Sequence, residues 1–143
     1  MTIYQVTEAT PKLAEAFLRL IPQLNPTSRI PNQQELQEVI ETENTYLFVG
    51  EENGKIIGTI SLVFYRIPTG DKAWIEDVIV DESTRGKGYG NKLMQHAIDF
   101  AKSKGILKVN LTSNPTRIAA NKMYQKLGFE LYITNMYRLD LGK

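Results

Sequence analysis

Six residues, Arg85-Gly86-Lys87-Gly88-Tyr89-Gly90, lie between a strand-like run ending at Val80 and a stretch with helical apolar spacing. A helix N-terminus carries unpaired N–H groups and a partial positive charge. Glycines at that point let the backbone approach an anion in conformations other residues avoid, and Arg85 and Lys87 add charge. The chemistry this permits is the cradling of a pyrophosphate. The same glycines could also do no more than make a tight strand-to-helix turn, since a lone glycine-rich loop is a weak signal. Two common nucleotide sites fail on particular residues. A P-loop needs Ser or Thr directly after Gly-Lys, and here Gly88 and Tyr89 follow. A dinucleotide fingerprint needs an acidic residue at the end of the next strand, and Asn110-Leu111-Thr112-Ser113 has none.

The second place where chemistry could occur is Trp74-Ile75-Glu76-Asp77-Val78-Ile79-Val80, two carboxylates inside an otherwise apolar strand. In a regular strand Glu76 and Asp77 point to opposite faces, and Glu76 falls in register with Val78 and Val80. Buried carboxylates need partners or water, and burial raises their pKa toward the range of a general base. Glu76 is the expected base, acting directly or through water. Asp77 reads as a structural group that pairs or caps, unless a bulge breaks the register and hands it the role.

The elements that must position these groups follow from pattern. Ile3–Val6 reads as a short strand. Thr10-Pro11 opens a helix as N-cap and first helical residue, with Leu13, Phe17 and Leu20 on its apolar stripe. Pro22, Pro26 and Pro31 mark a loop, and a second helix spans about Gln33 to Thr42. Tyr46–Gly50 and Ile56–Tyr65 are strands joined by the hairpin pair Asn53-Gly54. Ala73–Val80 is the next strand, and a helix covers about Gly88 to Lys104 before Gly105. Lys108–Thr112 is a strand. Asn114-Pro115 starts a helix that Gly128-Phe129 ends, and two strands, Glu130–Thr134 and Met136–Leu141, close the chain. The order β α α β β β α β α β β predicts an α/β (mixed α+β) domain. Its sheet is twisted and mixed, of about seven strands, with helices on both faces and the strands flanking the crossover helix parallel.

With 143 residues the chain fits one domain, taken as 1–143. It has no cysteine and one histidine, so disulfides, cysteine nucleophiles and thiolate metal sites are excluded and no metal site is expected; His96 reads as a surface or half-buried residue. A net charge of +1 argues against a nucleic-acid face. No leader-like N-terminus and no membrane-length apolar run are visible, so a cytoplasmic protein is expected.

The two segments Val78-Ile79-Val80 followed by Arg85-x-x-Gly88-x-Gly90, and Asn114 through Ala120, Asn121 and Tyr124 to Leu127-Gly128-Phe129, occur in one chain in this order. Together they resemble the two cofactor motifs of the GCN5-related N-acetyltransferases (GNAT). The likeness covers about Tyr46 to Leu141. It implies the acyl-CoA N-acyltransferase fold and acetyl-CoA as cosubstrate. It further implies that Val78, Ile79 and Val80 pair with the pantetheine arm through backbone groups. The segment Arg85, Gly86, Lys87, Gly88, Tyr89 and Gly90 would hold the pyrophosphate. Asn114 and Asn121 would lie beside the pantetheine, Tyr124 would protonate the leaving thiolate, and the Val78 N–H would serve the oxyanion. Without the motif, Tyr124 would read as core packing beside Ala120 and Leu127. The resemblance places the acceptor wall at the Pro22–Pro31 loop and the start of the second helix, facing Tyr65, Arg66 and the turn from Ile67 to Lys72. The implied acceptor is a primary amine of a small molecule or peptide. A non-catalytic acyl-CoA sensor on the same fold stays open, as do the acyl group and a homodimer.

Overall fold

The computed structural model describes residues Met1–Gly142. The elements run β1 Thr2–Gln5, α1 Pro11–Leu24, α2 Gln33–Glu41, β2 Thr45–Glu52, β3 Lys55–Ile67, β4 Gly70–Val80, a 3-10 turn Glu82–Thr84, α3 Tyr89–Ser103, β5 Val109–Asn110 and α4 Ile118–Lys126. Met1–Thr112 form one compact unit, and the residues from Ser113 onward form a second.

In the first unit the strands lie in the order β1-β2-β3-β4-β5. The first three pairings are antiparallel, and β4 and β5, joined through α3, are parallel as the crossover requires. Asn53 and Gly54 both take positive φ, 51° and 77°, the conformation a two-residue hairpin needs to match strand twist. Thr10 caps α1 through Leu13 N–H, with Pro11 first in the helix. Asn32 and Glu35 form a reciprocal capping box on α2. Strand alternation divides the sheet between two layers. Leu47 and Val49 join Phe17, Leu20, Leu36 and Ile79 in the core under α1 and α2. Phe48, one residue out of phase, packs its ring edge against His96 (4.8 Å) and Phe100 (5.2 Å) of α3.

The structure departs from the sequence expectation at several places. The sheet has five strands, not about seven. Glu130–Thr134 and Met136–Leu141 form no strand, and β5 covers two residues of the expected five. Alternating apolar residues report a willingness to pair; a ladder forms only where a second strand lies in register, and among the described residues this segment pairs with none. Its side chains are left open, with Leu131 82% and Ile133 101% exposed. Pro22 does not break α1, which continues to Leu24, because near a helix end proline forfeits a single ladder bond. Asn114 does not cap α4. Its side chain accepts from Thr116 N–H and hydroxyl in a local turn, and the helix starts at Ile118. Gly128, at φ 103°, ends that helix, and Phe129 N–H folds back to Tyr124 C=O as expected.

Phe48 is 1% exposed and ties α3, with the glycine-rich loop at its head, to the sheet. Phe48→Ala should lower unfolding free energy by about 3–5 kcal/mol, read from the urea midpoint. A loss below ~1 kcal/mol would show that α3 is held elsewhere.

Candidate active site

β4 is not regular. Ser61 pairs with Glu76 and Thr59 with Ile79, so two steps on β3 span three on β4. The extra residue is a bulge, and within it Asp77 takes φ 48°. A left-handed L-residue costs roughly 1–2 kcal/mol, least for Asp and Asn. The bulge corrects the expected register. Glu76 shares a face with Ser61, Thr59 and Ile79, the side covered by α1 and α2. Val80 sits opposite Gly58 on the other side, where a Cβ on Gly58 would meet Leu93 of α3 at 2.9 Å. Glu76 is therefore not in phase with Val80, and strict alternation between Glu76 and Asp77 does not hold.

The burial expected of the two carboxylates is also corrected, since both residues are exposed. Neither has a hydrogen-bond or ion-pair partner among the described residues. Solvent reaches them, yet enough protein surrounds each to weaken its hydration. That partial burial raises the Glu76 carboxyl above its ordinary range, and the charge of Asp77 adds to the effect. Partial burial raises Asp77 as well. Trp74, two residues back on the Glu76 face, donates its indole N–H to the Tyr65 hydroxyl at 2.9 Å. The pair leaves a half-buried aromatic floor beside the carboxylates.

β4 meets β5 only at Ala73 and Trp74. From Ile75 to Val80 the strand edge away from β3 is unpaired among the described residues, so its backbone groups can receive an extended ligand. At the end of that edge Asp81 fixes the next turn, accepting from Ser83 N–H (3.0 Å) and hydroxyl (2.9 Å) and from Arg19 of α1 (2.9 Å). Arg19 also donates to Ile56 C=O at 3.0 Å. Burial works to raise the Asp81 carboxyl, but the Ser83 bonds with the charges of Lys55 and Arg19 outweigh it and hold the group below its usual range. Gly86 (φ 85°) and Gly88 (φ 77°) then carry the chain into α3, with no atom within 4 Å of where a Cβ would stand on either. Gly88 is the N-cap of α3 and supplies no side-chain cap, so the first-turn N–H groups remain free for an anion. Arg85 and Lys87 lie in the same turn, and Gly90 is the second residue of α3. Tyr89 is buried, and its phenol donates to Glu52 of β2 at 2.6 Å. Free N–H groups at a helix head beside Arg85 and Lys87 could hold an anionic group such as a diphosphate.

In the second unit the Asn121 amide donates to the carbonyls of Asn114 (3.0 Å) and Arg117 (2.7 Å), bringing the two asparagines together. Tyr124, one turn on, is buried with its ring edge toward Phe129. Burial raises its hydroxyl, with Arg117 opposing, and the hydroxyl makes no hydrogen bond within the described residues. Among those residues no group of acidic or histidine side chains could hold a metal ion, and no helix is long and apolar enough to cross a membrane. The pairs Glu52–Tyr89, Arg19–Asp81 and Tyr65–Trp74 were not singled out from sequence. Alternation along β2 was the one available signal, since it puts Glu52 on the Phe48 face toward α3.

Known proteins resemble this chain in sequence and in fold. The profile described as the Acetyltransferase (GNAT) family matches residues 11–129. A glucosamine 6-phosphate N-acetyltransferase of Trypanosoma brucei brucei is 38% identical over 100 residues, 68% of this chain and 65% of that relative, so the match leaves about a third of the relative uncovered. Among solved structures, a putative acetyltransferase from Agrobacterium tumefaciens str. C58 superposes with a TM-score of 0.84 at 26% identity, over 98% of this chain and 100% of its own. Glucosamine-6-phosphate N-acetyltransferase from Arabidopsis thaliana does so at 0.79 and 26%, over 97% and 99%.

Asp77→Gly should relieve the left-handed backbone and raise stability by about 1 kcal/mol in urea denaturation. A loss of stability would mean that the aspartate side chain itself holds the bulge.

Proposed function

Since the chain belongs to the acetyltransferase (GNAT) family, we propose that it transfers an acetyl group from acetyl-CoA to the primary amine of a small molecule or peptide. The observation that carries this reading is the continuity of two features on β4. The unpaired edge from Ile75 to Val80 leads, through the 3-10 turn Glu82–Thr84, into a glycine turn that leaves the head of α3 without a side-chain cap. One offers backbone pairing to an extended amide-bearing arm, and the other offers N–H groups to its diphosphate. Acetyl-CoA supplies the activated acyl thioester.

The chain's own groups then have distinct tasks. Arg85 to Gly90 bind the diphosphate, and the backbone of Val78, Ile79 and Val80 aligns the pantetheine arm. The Val78 N–H, in the bulge, donates to the acyl oxygen where negative charge builds. Glu76 takes the amine's proton, directly or through water; partial burial and the charge of Asp77 raise its carboxyl above the ordinary glutamate range, the direction that strengthens a general base. The two unpartnered carboxylates, Glu76 and Asp77, favour approach of a cationic ammonium. On the family likeness, Asn114 and Asn121 line the arm and Tyr124 donates its hydroxyl proton to the departing thiolate. Burial keeps that hydroxyl protonated well above neutral pH. The amino sugar phosphate named for the relatives heads the list of acceptors to try.

Thiol release from acetyl-CoA across a panel of amines tests the reading. Glu76→Gln and Tyr124→Phe should each lower kcat by about a hundredfold or more. Full turnover in both variants would remove these assignments, and tight coenzyme A binding without turnover on any amine would favour a sensor.

The pH profile makes a separate test. An ionised Glu76 is required, so the acidic limb of kcat/KM should lie above the ordinary glutamate range. Asp77→Asn removes a negative charge that disfavours that ionisation. The Glu76 pKa should fall and the limb should move to lower pH. A limb that stays in place or rises would rule out coupling between them, and loss of activity in Asp77→Asn would make Asp77 the base.

A further inference from the structure

Tyr89, the first residue of α3, stands between Gly88 and Gly90 and is 8% exposed. Its phenol is not bonded within the loop. It reaches across to Glu52 and donates at 2.6 Å, a length typical of a hydroxyl bonded to a carboxylate. Glu52 is the last residue of β2, immediately before the Asn53-Gly54 turn. That turn fixes the hairpin end, because both central residues already hold the left-handed conformation it demands. Glu51 and Glu52 point to opposite faces, so Glu51 pairs with Lys12 of α1 while Glu52 faces α3. The Tyr89 ring in turn lies under two ammonium groups, Lys87 at 5.9 Å and Lys92 at 5.6 Å from its centre.

We propose that Glu52 is a positioning residue for the diphosphate turn: by holding the Tyr89 phenol to the rigid β2–β3 hairpin, it sets where the loop backbone and Lys87 and Lys92 stand. The inference rests on the acetyl-CoA reading above. Its logic runs against simple electrostatics. A carboxylate near a diphosphate repels it, so an unconstrained Glu52 would weaken binding and its removal would strengthen it. A Glu52 that orders the loop has the opposite sign, since its removal frees Tyr89 and the two lysines and makes binding pay for ordering them.

The test is isothermal titration of the protein with coenzyme A and with pantetheine, which lacks the diphosphate. Glu52→Ala and Tyr89→Phe should each weaken coenzyme A binding by about five- to tenfold, the worth of one hydrogen bond, and the double variant should be no worse than either. Glu52→Gln keeps an acceptor oxygen for the phenol without the charge, and should bind within about twofold of wild type. Pantetheine affinity should not move in any variant. The KM for acetyl-CoA should rise in step with the dissociation constant while kcat at saturation stays nearly constant. Thermal melting of each variant confirms that it is folded, and Tyr89→Phe, which removes one oxygen, is the mildest of the set. Tighter or unchanged binding in Glu52→Ala, or losses that multiply in the double variant, overturns the inference alone. A wild type that binds no coenzyme A overturns the acetyl-CoA reading and this inference with it.

Discussion

At Asp77 the backbone of β4 turns left-handed, and the strand takes in one residue that β3 does not match. A ladder cannot absorb an extra residue without bending and losing pairing locally. After the bend, Ile79 rather than Val78 shares the face of Glu76, and among the described residues β4 has no strand neighbour on its other side beyond Trp74. The left-handed conformation disfavours an L-residue by a modest amount. In return the fold gains unpaired backbone groups next to two carboxylates, the arrangement an extended ligand with a reactive end would use.

The elements around that break keep it from spreading. On one side, Arg19 of α1 ties the start of the loop through Asp81 and the β3 backbone through Ile56. On the other, Glu52 ties the loop's end through Tyr89. Both ties use a charged group, and charge-assisted bonds are the stronger kind. Between them Gly86 and Gly88 can take left-handed conformations with open space above. The loop is thus free of side-chain bulk where an anion would approach and anchored at both ends, which is the preorganisation that anion binding to N–H groups needs.

Much of this was legible in the residues. Asn53-Gly54 demanded a hairpin, Thr10-Pro11 a helix start, and Gly86 and Gly88 a turn that only glycine enters cheaply; each is a local matter and each appeared. Tyr46–Gly50 read as a strand and is one, and the structure divides its alternating side chains between two layers. Among the expectations that failed, the closing strands depended on a partner, while two others were local. Leu131, Ile133, Tyr137 and Leu139 have strand-like alternation, but the structure leaves them exposed and unpaired. Asn114-Pro115 resembles a helix start, but the Asn114 side chain is taken by Thr116 before α4 begins. Pro22 looked like a stop, but one lost bond near a helix end is tolerated.

The sequence by itself determined the glycine turn, the order of elements through the crossover helix, and the likeness that runs through Asn114, Asn121 and Tyr124. These rest on short-range rules, where a residue's own backbone preference or its neighbours within one turn decide the outcome. It could not determine which way Glu76 and Asp77 project. That depended on a one-residue mismatch between two strands whose extra member, Asp77, carries no compositional mark of a bulge. It could not determine that Glu52 would meet Tyr89, thirty-seven positions away, because a hydrogen bond between distant residues exists only once the sheet and α3 have packed. Side-chain direction in a strand is a matter of register, register is a property of two strands at once, and only the tertiary structure contains both.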